Sequence, residues 1–337
     1  IILATLPIIS LIKKNGIRAT PMLLLLAVSC FLSFKPNQPF NDEYQILYQS
    51  EGILGQVKVV DHPSYGITPD ARMGRGLIVN NTLQTYVGAA DDFQYSIWSW
   101  ANYFPTAASI FPPESDVLLL GLGGGTLVKQ LDRLGFNTDV VEIDERVRDV
   151  SYDFFNMDPN TQVFIDDARH FVRTSKKLYD IIIFDTFLSE SVPEHLITVE
   201  GFEDAKRILQ EDGMIMINFY GFVEGEAGKA ARSVYKTLVH SGFKVEILTT
   251  PGSEQSRNLI FLASLVEKDF STADYEEPNF EKIEDLYELF LSKRLIDTTD
   301  AKILTDHKPQ LAKLYNPAAK AWKKSYNDYY QEHFRKK

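Results

Sequence analysis

A chain of 337 residues with 45% hydrophobic and 24% charged side chains can bury a substantial core, which excludes a disordered tail. Its formal net charge of −11 sets the surface against phosphate backbones and argues against nucleic acid as a partner. A single cysteine, Cys30, excludes an intrachain disulfide and a cysteine metal cluster, and the six histidines show no metal-ligand spacing, so no metal is expected.

The chain opens on an apolar run, Ile1 to Ile12, broken by Lys13-Lys14-Asn15-Gly16 and followed by a second run from Ala19 to Phe34. A cleaved signal peptide needs a basic start and a small-residue cleavage site, and this order does not match. Residues 1–34 are expected to be membrane-associated, the end of a larger membrane region, because Met22 to Val28 has no polar face to show to water. The second run is slightly short of the roughly 20 residues of a spanning helix, so a buried hairpin or an interfacial segment stays open. Lys13, Lys14 and Arg18 would place their loop in the cytoplasm and the folded part outside if the run spans. A run that does not fully span removes that conflict. The expectation is the cell membrane, with the folded part on the cytoplasmic side.

Residues 35–43, with two prolines, read as a linker. Residues 44–111 read as a small β-hairpin domain plus a helix: Gly55 to Val60 and Gly76 to Asn80 alternate, with breaks at Asp61 to Ser64 and Asn80-Asn81, and Asp92 to Ala108 looks helical. Trp98 and Trp100 read as core or interface residues. Residues 112–265 alternate strands and helices, which predicts a parallel sheet of the α/β, Rossmann-like kind. Its strands are placed at 117–121, 138–143, 162–165, 181–185, 214–219, 244–249 and 259–263. Residues 266–337 form a C-terminal extension, charged and mostly helical from Tyr275, whose basic end is read as a solvated amphipathic helix rather than a membrane-surface one.

The apolar strand from Val117 runs into Gly121-Leu122-Gly123-Gly124-Gly125 and then a helix from Thr126. Glycines there let the backbone turn sharply and a ligand approach the free N–H groups of the helix start. Glu142, at the end of the next strand, suits two ribose hydroxyls, so the ligand should be a nucleoside. Asp167, before Ala168, serves equally as an adenine acceptor or a helix cap. Asp185 ends a fully apolar strand at the carboxyl edge, where a base or a substrate-amine acceptor would sit. Capping the next turn is the plainer role. His170 and His195 read as packing or surface.

These residues resemble the polyamine aminopropyltransferases, spermidine synthase and its relatives, over about Tyr44 to Leu311. Arg75 to Gln84 looks like the family's hairpin motif, Asp91-Asp92-Phe93-Gln94-Tyr95 like its acidic and tyrosine segment, and Val141-Glu142-Ile143-Asp144 like its ribose-binding strand end. Asp167-Ala168 and Tyr179 to Asp185 are similar to its adenine-binding and catalytic positions. Pro193 to Leu196 with Thr198 to Glu200, and Leu304 to Pro309, look like a membrane-fused branch. The resemblance implies S-adenosylmethionine or its decarboxylated form as substrate, bound by Gly121, Gly123, Gly124, Gly125, Thr126, Glu142, Asp167, Ala168 and Gln84, with Asp185 catalytic and no metal. An aminopropyl group would pass to an amine. Transfer of a methyl group, or a catalytically inactive nucleoside-binding or assembly module, stays open, as does a homo-oligomer. The chain departs from the family where an Asp follows the glycines, here Thr126, at Ser96 and Ile97 after the tyrosine, and at Leu188 in place of a second acid.

Overall fold

The computed structural model describes residues 44–64, 72–186, 193–278, 280 and 282–334. The apolar opening, the expected linker and Leu188 lie outside these residues. Among the described residues no helix is long and apolar enough to cross a membrane.

Strands β1 (Gln45–Gly52), β2 (Gly55–Pro63), β3 (Met73–Val79) and β4 (Thr82–Gly88) form an antiparallel sheet in chain order, as the alternating runs predicted. The β3–β4 turn uses Asn80 and Asn81 at φ 50° and 63°, a conformation asparagine tolerates, and the Asn80 side chain accepts from the Gln56 N–H at 3.0 Å. The expected helix over 92–108 is mostly absent. Asp92 and Phe93 take φ 51° and 60°, the chain folds back so that Ile97 N–H donates to Tyr86 O at 2.9 Å, and only a 3-10 turn (Ser99–Asn102) and α1 (Tyr103–Ala108) remain helical. Backbone pairing with β4 outweighs a weak helical pattern.

The main sheet comprises β5 (Asp116–Leu120), β6 (Asn137–Glu142), β7 (Val163–Ile165), β8 (Tyr179–Phe184), β9 (Leu209–Tyr220), β10 (Lys244–Thr249) and β11 (Asn258–Ser264). Helices α2 (Thr126–Arg133), α3 (Glu145–Phe155), α4 (Ala168–Thr174), α5 (Val199–Arg207) and α6 (Lys229–His240) connect them. The order is β10-β11-β9-β8-β5-β6-β7. The expected all-parallel sheet is corrected at one place: β11 runs antiparallel to both β9 and β10, since a short connection after β10 permits only a reversal. This is the Rossmann-like arrangement of the methyltransferase type, with the small antiparallel sheet N-terminal to it.

The β8 run is buried on both faces, which is why it is apolar without alternation: Ile182 and Phe184 pack into one core layer, Ile181 and Ile183 into the other. Strand order reverses between β5 and β8, which opens a crevice at their carboxyl ends.

The C-terminal extension is helical only from α7 (Leu311–Phe334). The described residues between 266 and 310 are irregular, with 3-10 turns at Leu286–Leu289 and Lys293–Leu295, against the mostly helical expectation. Part of that stretch covers the free edge of β10 instead: Phe290 bridges Leu248, and Leu291 N–H donates to Ile247 O at 2.8 Å.

Candidate active site

Strands β5 and β8 pair with Leu120 beside Phe184, so Gly121 and Asp185 leave the sheet together. Gly121 has φ 94°, and a Cβ there would stand 2.2 Å from the Asp185 carbonyl oxygen, a contact no other residue tolerates. The loop is held to β4 by Gly124 N–H, which donates to Thr85 Oγ1 at 2.8 Å. Gly124 and Gly125 are buried under this loop and line neither of the cavities described next, whereas Gly121 and Gly123 do. Thr126 opens α2, and its buried Oγ1 has no hydrogen-bond partner among the described residues.

A narrow cavity of about 120 Å³ brings together Gly121, Gly123, Glu142, Asp167 and Ala168. Glu142 is buried, and its two oxygens accept from Asp144 N–H at 2.9 Å and Leu122 N–H at 3.1 Å. Burial raises its pKa, which those backbone donors offset in part. The fixed carboxylate keeps lone pairs for hydroxyl donors. Ile143 is 40% exposed although apolar, because its side chain lies in this cavity, where it presents a surface for a flat base. Asp167 does cap α4, accepting from His170 N–H at 3.0 Å, while its other oxygen is 3.3 Å from His195 Nε2. The capping role and the cavity position therefore coexist.

A larger cavity of about 430 Å³ lies on the other side of Asp185 and contains Thr126 and Gln84. Gln84, Leu122, Gly123 and Asp185 line both cavities and form their junction. Dry surroundings push the Asp185 carboxyl pKa up, against a hydrogen bond from Asn218 Nδ2 to its Oδ1 at 2.8 Å. Asn258 Nδ2 in turn donates to Asn218 Oδ1 at 2.8 Å. This amide chain fixes one Asp185 oxygen and leaves the other for a ligand. Neither asparagine is legible as a site residue from sequence, since both are brought in by neighbouring strands β9 and β11.

The two C-terminal motifs meet around Arg169. Its guanidinium donates to Asp204 at 2.8 Å, to Asp306 at 3.2 Å and to the His195 carbonyl. Thr198 Oγ1 donates to Asp306 Oδ1 at 2.7 Å, and Val199 N–H donates to Leu304 O at 2.9 Å. This network seats Pro193, His195 and Leu196 on the rim of the narrow cavity. His195 is thus a cavity residue that a lone histidine in the sequence gave no reason to select. Trp98 and Trp100 pack against the core, as expected, and also line the larger cavity. Among the described residues no group of histidine, cysteine and acidic side chains gathers as a metal site.

Residues 106–269 match the family described as Spermine/spermidine synthase domain. The chain is 34% identical over 131 residues to the polyamine aminopropyltransferase of Vibrio vulnificus, covering 35% of this chain and 44% of that protein. It is 37% identical over 112 residues to the N-terminal histidine N-methyltransferase of Emericella nidulans, covering 32% of this chain and 20% of that one. The match thus spans less than half the length of either relative. Among solved structures, a probable spermidine synthase from Corynebacterium glutamicum shares the fold, with a TM-score of 0.52 at 20% identity over 70% of this chain and 83% of that one. Each of these likenesses covers only part of the chain, and the solved structure, at 20% identity, bears on the fold alone.

Proposed function

We propose that this chain, whose residues 106–269 match the spermine/spermidine synthase domain, is a transferase that binds a sulfonium nucleoside and moves its aminopropyl group to an amine. The observation that carries the reading is the junction: a carboxylate-bearing narrow cavity and a larger one share Gln84, Leu122, Gly123 and Asp185. Glu142 would accept the ribose hydroxyls, Asp167 and Ala168 would contact the adenine, and Gly121 and Gly123 would admit the sulfonium tail. The donor is S-adenosylmethionine or, for aminopropyl transfer, its decarboxylated form.

At neutral pH an amine acceptor arrives protonated. Asp185, with its pKa raised by burial, is suited to take that proton. The freed nitrogen lone pair then forms a bond to the propyl carbon attached to sulfur, the C–S bond breaks, and its electron pair stays on sulfur. Methylthioadenosine leaves as a neutral thioether, and the new ammonium keeps the positive charge. In-line alignment of nitrogen, carbon and sulfur supplies most of the rate, which is what two cavities meeting at one carboxylate provide.

A second reading, methyl transfer from S-adenosylmethionine, has its own support in the neutral Thr126 and in the likeness to an N-methyltransferase. Mass spectrometry of products with each donor separates them: methylthioadenosine marks aminopropyl transfer, S-adenosylhomocysteine marks methyl transfer. Neither product with any amine would refute the transferase reading and favour an inactive binding module. The apolar run Ala19 to Phe34 further supports attachment to the cell membrane, and a run that does not fully span leaves the site on the cytoplasmic side. Flotation of the full chain with lipid vesicles, and protease protection in intact cells, test that.

A further inference from the structure

We infer that the larger cavity selects an acceptor with one ammonium and an aromatic or bulky apolar body, rather than an aliphatic diamine. This rests on the reading of Asp185 as the group that receives the acceptor amine. Among the described residues lining that cavity, Asp185 is the one that carries a charge. The rest of the lining sets rings, among them Trp98, Trp100, Trp322, Tyr86, Tyr220 and Tyr315, beside uncharged hydroxyl and amide side chains. A diamine bound with one nitrogen at Asp185 would carry its second ammonium into this wall without a carboxylate to meet it. Desolvating an unpaired ammonium costs several times what a hydrogen bond to a hydroxyl or amide returns.

Ring faces attract cations, but part of this surface is already engaged. Tyr220 and Trp322 stand 5.6 Å apart at 76°, and Phe219 and Tyr315 5.5 Å apart at 72°, so one face in each pair is covered by its partner's edge. Edge-to-face packing suits a further aromatic ring better than a strongly hydrated ammonium. The 430 Å³ volume holds a ring and a short alkyl arm reaching Asp185. Helix α7 supplies Tyr315, Trp322 and Ser325 to the wall, so the C-terminal extension is a specificity element and not only a cover for the fold.

The chain has three tryptophans, and all three line this cavity, so intrinsic tryptophan fluorescence reports its occupancy directly. The full chain is titrated at neutral pH with phenethylamine and, separately, with putrescine. The expected result is half-saturation by phenethylamine at a concentration at least tenfold below that for putrescine. Trp322→Leu should erase most of that difference, read on the remaining tryptophans, with thermal melting as the check on folding. Equal or tighter binding of putrescine overturns the inference, and so does no response to either amine. Calorimetry with methylthioadenosine on the same preparation is read independently. If methylthioadenosine fails to bind while phenethylamine does, the nucleoside reading falls and the selectivity of the cavity stands.

Discussion

Replacing Thr126 with Asp tests how the site distinguishes its two possible donors. The two molecules differ by one carboxylate on the tail that would reach the start of α2. Thr126 contributes a neutral hydroxyl there, buried and without a hydrogen-bond partner among the described residues. The free N–H groups of a helix start favour an anion by about 0.3 to 1 kcal/mol. The parent chain should therefore bind S-adenosylmethionine at least as well as the decarboxylated form. If an Asp at this position stood about 4 Å from the donor carboxylate, the like charges would repel by about 4 kcal/mol at an effective dielectric of about 20. Water in the cavity lowers this to about 1.4 to 3 kcal/mol, a tenfold to roughly 150-fold change in relative affinity. Thr and Asp are close in size, and an acid in the first turn suits the helix dipole, which offsets part of the cost of burying its charge, so thermal melting is the check that Thr126→Asp folds. Calorimetric titration of both donors against both proteins gives four dissociation constants. The order should reverse in Thr126→Asp. A parent that already prefers the decarboxylated donor strongly refutes the argument.

Glu142→Ala should weaken methylthioadenosine binding at least tenfold, since each charge-assisted hydrogen bond to a ribose hydroxyl is worth about 1.5 to 3 kcal/mol, while circular dichroism should be unchanged. Asp185→Asn should abolish turnover yet leave methylthioadenosine affinity nearly unchanged by calorimetry, because the amide keeps the shape and loses the base. Lys129 is buried with its Nζ donating to Phe93 O at 2.7 Å and Phe155 O at 2.8 Å, and desolvation lowers its pKa from 10.5 to about 8. Between those values the unfolded chain holds a proton that the folded chain has released, so unfolding free energy should rise with pH from about 8 to 10.5, by on the order of 1 to 3 kcal/mol, and Lys129→Met should flatten that rise in urea titrations. Arg169→Met should lower the unfolding free energy by about 2 to 4 kcal/mol, because Asp204, Asp306 and the His195 carbonyl lose their shared donor, and should also weaken methylthioadenosine binding by loosening the His195 rim.

What the sequence made legible is what a single strand and its following loop encode. The apolar runs into Gly121 and Asp185, and the acid Glu142 at the end of the strand after Gly121, follow from periodicity and from the need for glycine at a sharp turn, and the structure puts all three at one edge of the sheet. Asp167 could not be divided between capping and binding, and the geometry explains why: one oxygen caps α4 and the same carboxyl lines the cavity. The larger cavity was illegible because its wall is drawn from β4, the 96–104 turn, β9, the 255–258 loop and α7, which no local pattern joins. The Asn258 to Asn218 to Asp185 chain depends on β11 running antiparallel to β9 with Asn218 near its end, a pairing that alternation of strands and helices does not predict. The 92–98 turn was misread for the opposite reason, because a run rich in aromatic residues mimics a helix when the pairing with β4 that reshapes it is out of view.

A crystal structure with methylthioadenosine bound tests the division of labour between the two cavities. The ribose hydroxyls should fall within hydrogen-bond distance of Glu142, the adenine between Ile143 and Ala168 with its amino group toward Asp167, and the thioether sulfur at the junction beside Gly123, facing the Asp185 carboxylate. A nucleoside seated among Trp98, Trp100 and Trp322 instead, with Glu142 untouched, would contradict the assignment of both cavities.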